Sequence, residues 1–65
     1  MTVELRIVDK DVNPLELMIV HDDLKAKGVR YASVYKGNDC IWVNYNLIDA
    51  YYIFKNSQLV DVQYD

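Results

Sequence analysis

The chain has one cysteine, one histidine, one proline and two glycines in 65 residues, and each shortage closes a route. Cys40 alone cannot form an internal disulfide. Cys40 and His21 together cannot supply a closed four-ligand zinc site. Gly28 and Gly37 stand too far apart for a glycine loop that cradles phosphate. The longest aliphatic run, "LMIV", is far from the roughly 20 residues that span a bilayer. The opening "MTVELRIV" lacks a basic stretch followed by an apolar one, so no secretory signal is expected. Seven Lys and Arg are scattered among ten Asp and Glu, giving a net charge of −3. A nucleic-acid binder would normally gather its cations into a patch that meets phosphates. These absences predict a cytoplasmic, reducing setting and no cofactor, metal, membrane or evident small-molecule substrate.

What is present is a composition that folds, with 52% hydrophobic and 26% charged residues. Residues 1–65 read as one domain. A chain this short buries only ~60% of the surface its unfolded form exposes. Small domains usually add disulfides, metals or oligomerisation. With the first two excluded, self-association or a protein partner is expected.

Val3, Leu5 and Ile7 alternate with Thr2, Glu4 and Arg6, the period of a half-buried strand. Asn13, Pro14 and Glu16 then have the form of a helix start, with Asn as cap and Pro at the first helical position. "LKAKG" has the form of a helix end, with lysines in the last turn and Gly28 beyond. The spacing predicts a helix over about 14–27. Its wheel puts Leu17, Val20 and Leu24 on one face and Leu15, Met18, Ile19 and Ala26 near the opposite one. A helix apolar on both sides expects cover on both. The β-branched Ile19 and Val20 leave a strand as the competing reading of "LELMIV".

"VRYASVYKGNDCIWVNY", residues 29–45, reads as a hairpin. A Gly37-Asn38 loop of type II′ would set Tyr35 opposite Cys40, Ser33 opposite Trp42, Tyr31 opposite Asn44 and Lys36 opposite Asp39. Residues 46–56 admit two readings. As a helix capped by Asn46, they align Leu47, Ala50, Tyr51 and Phe54 on one face. As a strand, "YYIF" turns at "KNSQ" into "LVDVQ". The preferred fold class is α+β: an antiparallel sheet of four strands with helices on one face, in the β-α-β-β-α-β, ferredoxin-like order. The alternative is β-α followed by a β meander.

In the preferred fold the covered sheet face collects Val3, Leu5, Ile7, Ala32, Val34, Ile41, Val43, Val60 and Val62. The bare face carries Glu4, Arg6, Tyr31, Ser33, Tyr35, Trp42, Asn44, Leu59, Asp61 and Gln63. Inverted faces would make the aromatics the core and leave Val34 and Ile41 in solvent. Tyr, Trp and Arg are enriched at interface hot spots because they combine contact area with a polar handle. The plainer reading of the aromatics is cross-strand pairing, worth ~0.2–1 kcal/mol a pair. The candidate partner-binding residues are Arg6, Tyr31, Tyr35 and Trp42 on the sheet, with Leu15, Met18 and Ile19 on the helix.

No catalytic residue is expected. On a helix His21 does not face Asp22 or Asp23, Cys40 has no activating His in its motif, and Asp9-Asp11-Asn13 lacks the glycine and closing Glu of a calcium loop. The sequence thus predicts a non-enzymatic protein–protein interaction module, a small regulator or inhibitor of a larger protein and a candidate homodimer. Phage-encoded and accessory inhibitors are analogous in class. Single-stranded nucleic-acid binding through Tyr31, Tyr35 and Trp42 is the alternative.

Overall fold

A computed structural model describes residues 2–65. The elements run β1 (Glu4–Ile7), α1 (Pro14–Ala26), β2 (Tyr31–Gly37), β3 (Cys40–Tyr45), β4 (Ile48–Lys55) and β5 (Gln58–Tyr64). The five strands form one sheet in chain order. β1 pairs with β2 in parallel through the helical crossover, and every later pair is antiparallel. The fold is therefore α+β with one helix and a mixed five-stranded sheet.

The helix is bounded as its ends predict. Asn13 Oδ1 accepts from Leu15 N–H at 2.9 Å, and Pro14 occupies the first turn, where an N–H has no partner to lose. At the other end Gly28 takes φ +76°. There Gly28 N–H donates to Lys25 O at 3.1 Å and Val29 N–H to Leu24 O at 3.0 Å. Those paired bonds are a Schellman motif, sealed by contact between the apolar residues flanking it; Leu24 and Val29 are both buried. Leu24 and Val20 face the sheet fully buried, with Leu17 partly so. Each fully buried aliphatic side chain contributes about 1.5–3 kcal/mol.

The ferredoxin-like order is not formed, because residues 46–56 are not a helix. Ala50, Tyr52 and Phe54 are buried while Asp49, Tyr51 and Ile53 lie on the other face, the period of a strand with one covered side. Asn46 is no helix cap. Asn46 and Leu47 take φ +50° and +62°, and Asn56 and Ser57 take +54° and +61°. Two central residues at positive φ are the pattern of a type I′ hairpin turn, whose twist matches that of its strands. The sheet is accordingly a β-α unit followed by a meander, with a parallel pair at its start.

The β2–β3 register also departs from expectation. Gly37 pairs with Cys40, Tyr35 with Trp42 and Ser33 with Asn44. The loop is Asn38-Asp39, and Asp39 takes the left-handed conformation at φ +56°. Gly37 serves space rather than the turn: a Cβ there would stand 2.5 Å from Cys40 Sγ. Lys36 Nζ lies 3.3 Å from Asp11 rather than beside Asp39. The shift is two residues, so every side chain keeps its expected face.

β5 breaks strict alternation. Phe54 pairs with Leu59 and Ile53 with Asp61, leaving Val60 as the extra residue of a β-bulge. Leu59 thereby packs against the core and Val60 is exposed, the reverse of the expected order.

Leu47 combines two unfavourable features, being 99% exposed and left-handed, where a type I′ turn favours glycine. A left-handed L-residue costs roughly 1–2 kcal/mol, part of which glycine returns through unfolded-state entropy. Leu47→Gly should therefore raise Tm by about 3–6 °C. Calorimetry showing no rise would contradict the strained turn.

Candidate functional site

The helix covers one sheet face, and the opposite face is open. Its centre is the cross-strand row Tyr35, Trp42, Tyr51 on β2, β3 and β4. Tyr35 and Trp42 have ring centroids 4.5 Å apart with planes at 28°, and Trp42 and Tyr51 are 6.2 Å apart at 22°. Rings lying flat on the sheet could not approach to 4.5 Å without overlap, so the first pair stands on edge, face against face. Offset stacking of this kind adds ~0.5–1.5 kcal/mol a pair beyond area burial.

The adjoining row fixes the stack. Asp49 Oδ1 accepts from Trp42 Nε1 at 3.2 Å and from Asn44 Nδ2 at 2.7 Å. The indole N–H is thus satisfied within the protein, and Trp42 is held in one orientation. Tyr35, Trp42, Tyr51 and Ile53 are each partly exposed on this face. Partial desolvation against the neighbouring side chains raises the Tyr51 phenol, helped by the charges of Asp65 and Asp49. A phenol hydroxyl can both donate and accept.

Of the residues expected to bind a partner, Tyr35 and Trp42 lie together in this row. Arg6 pairs in register with Ser33 at the β1 edge, and Tyr31, 52% exposed, begins β2 beside Glu4. Leu15 and Met18 sit on the outer side of the helix, 61% and 55% exposed. Ile19 is partly buried against the core and offers a flank at most. The open sheet face and the outer helix face are on opposite sides of the molecule, so the sheet residues and the helix residues form two separate surfaces. Sequence reasoning missed Tyr51, Ile53 and Asp49, although the alternation of "IDAYYIFK" carried the signal.

A polar network on the covered side ties the helix end to the last two strands. Tyr52 Oη donates to Asp23, Lys27 Nζ lies 2.7 Å from Asp23 Oδ2, and Lys27 Nζ donates to Tyr64 Oη. The ammonium also lies 5.0 Å from the Tyr64 ring centre and 5.6 Å from that of Tyr52, within cation–π range. Burial raises the Asp23 carboxyl, but hydrogen bonds from Lys27 and Tyr52 outweigh it and hold the pKa below its ordinary value. Burial likewise opposes the Lys27 charge, and its bonds to Asp23 and Tyr64 leave it raised. Tyr52 is raised by burial first and by its bond to Asp23 second.

A carboxyl with a depressed folded pKa stabilises the fold fully above its unfolded value, about pH 4. That contribution is lost as pH falls through the folded value. Asp23 and Lys27 side chains are each about a third exposed, so the expected effect is modest. Asp23→Asn should cost about 1 kcal/mol at pH 7, and the gap from wild type should narrow by pH 3. Urea unfolding at both pH values checks this; a gap that does not change contradicts it.

Burial pushes the Cys40 thiol up, and the Asp39 charge adds to it, so the thiolate needed for nucleophilic attack is disfavoured. His21 Nδ1 stands 3.6 Å from Asp22 Oδ1, nearer than adjacent helix positions are expected to bring them, though beyond hydrogen-bond range. Among the described residues no group of three or more His, Cys, Asp or Glu is placed to hold a metal ion. Among them too, no helix is long and apolar enough to cross a membrane. No protein-family model, curated protein or solved structure matches this chain.

Proposed function

We propose that this chain is a non-enzymatic protein–protein interaction module, a small regulator or inhibitor that acts by contact through the open sheet face. The observation that carries the reading is the ordered aromatic row Tyr35-Trp42-Tyr51, locked by Asp49 and partly exposed on the face the helix leaves uncovered. Interface hot spots favour Trp and Tyr in rigid settings, where little side-chain entropy remains to be lost on binding. A single strand of nucleic acid would stack its bases on ring faces. The stacked pair turns such faces toward each other, and the net charge is −3, which favours a protein as partner. Leu15 and Met18 on the outer helix face offer a second, separate contact.

The test is capture from the native host on immobilised wild-type and Trp42→Ala protein. Proteins retained by the wild type and lost from the folded variant are the expected result. Identical retention on both would overturn the reading.

A further inference from the structure

We propose that the open sheet face closes on the same face of a second copy, about a two-fold axis nearly parallel to β3. This rests on the reading of that face as a protein contact and names its partner. β3 is the middle of five strands, and the aromatic row is balanced about it, Tyr35 to one side and Tyr51 to the other. A two-fold axis along β3 reverses strand order between the copies while keeping each cross-strand row opposite itself. Trp42 then meets its own counterpart, and Tyr35 meets Tyr51 of the second copy.

The polar row beside the stack decides the orientation. Across the sheet it reads Arg6, Ser33, Asn44, Asp49 and Asp65; Asp65 is placed by its N–H, which donates to Asp49 O at 2.9 Å. Reversed on the second copy, this row sets Arg6 against Asp65 and the Ser33 hydroxyl against Asp49, twice each. Glu4 sits one row further from the stack than Arg6, in register with Tyr31, outside these pairs. A two-fold axis across the strands would instead stack the acidic β5 sides, Asp61 and Asp65, on one another. Sheets packed face to face cross at about −30°, so the axis bisects that angle, running about 15° from each β3, and the outer strands are offset by an amount the long Arg6 side chain can span.

Size and edges favour the same arrangement. The molecule measures 29 × 23 × 20 Å, so a face spanning its two longer extents approaches the ~800 Å² per partner of a standard interface. Edge-to-edge pairing is blunted at both ends of the sheet. β1 has four residues. β5 carries the bulge at Val60, and Asp61 Oδ1 occupies the Val62 N–H at 2.9 Å. These are devices by which edge strands avoid one another. The dimer would present Leu15 and Met18 of each copy at its two outer ends.

Sedimentation equilibrium is the experiment. The wild type should weigh about twice 7.6 kDa at millimolar concentration. Arg6→Asp and Asp65→Arg should each weaken the dimer by about tenfold or more, since like charges then oppose. Mixing the two variants should restore a heterodimer, in which both cross-pairs are opposite in sign again. A monomeric wild type would overturn the proposal, while host capture through Trp42 would still stand as the test of the contact reading. A dimer lost in Trp42→Ala but indifferent to both charge reversals would overturn this geometry and leave the face in use.

Discussion

Tyr52→Ala should leave most of the protein unfolded at 25 °C, whereas Tyr51→Ala, one position away, should leave it folded. Tyr52 is fully buried beneath the helix, and its hydroxyl is bonded to Asp23. Truncating a buried aromatic costs about 3–5 kcal/mol, and the lost hydrogen bond adds about 1 more. At ~0.05–0.15 kcal/mol per residue, a domain this small has only a few kcal/mol to lose. Tyr51 stands on the open face against Trp42, so its loss removes a cross-strand contact of about 1 kcal/mol. Circular dichroism and urea titration of the two variants check this. The helical reading of residues 46–56 makes the opposite claim, with Tyr51 in the core. Tyr51→Ala proving the more damaging change would contradict the strand. Tyr52→Phe isolates the hydroxyl and should cost about 1 kcal/mol.

Trp42→Ala should weaken partner binding or self-association by about thirtyfold or more, the effect of losing a hot-spot side chain worth about 2 kcal/mol. Trp42 is the middle ring of the row and touches both tyrosines, so its removal opens a gap at the centre of the face and frees both neighbours. The fold should persist at a cost of about 1–2 kcal/mol, because Trp42 is half-buried and Asp49 keeps its bond from Asn44. Trp42→Phe, which keeps a ring but drops the indole N–H, should retain more of the contact. Unchanged association in a folded Trp42→Ala protein would remove the face from the contact. Unfolding of that variant would instead make the face structural.

Much of this was legible in the sequence. The helix was marked at both ends by residues with a local mechanism, Asn13 and Pro14 at one and Gly28 at the other. The hairpin faces were legible because side-chain parity survives a two-residue slip, so Tyr35 and Trp42 share the open face although they were expected opposite other partners. Residues 46–56 were not legible, since Ala50 and Phe54 fit both the helical and the alternating pattern. The deciding turns at Asn46-Leu47 and Asn56-Ser57 lack the glycine that usually announces a type I′ loop. Gly37 misled in the other direction, resembling a turn residue while serving to admit the Cys40 thiol. The extra residue at Val60 belongs to strand pairing, which no local pattern records. Asp49 emerged as the lock on Trp42 only once β3 and β4 were paired, and likewise the bond between Tyr52 and Asp23 joins residues far apart in the chain.

The central claim is that the aromatic face is covered by protein when the molecule is at work. Hydroxyl-radical footprinting tests it directly, by comparing side-chain oxidation in dilute purified protein with that in nuclease-treated lysate of the native host. Tyr35, Trp42 and Tyr51 should lose reactivity together in the lysate, by severalfold. Equal reactivity of the three in both settings would contradict the claim.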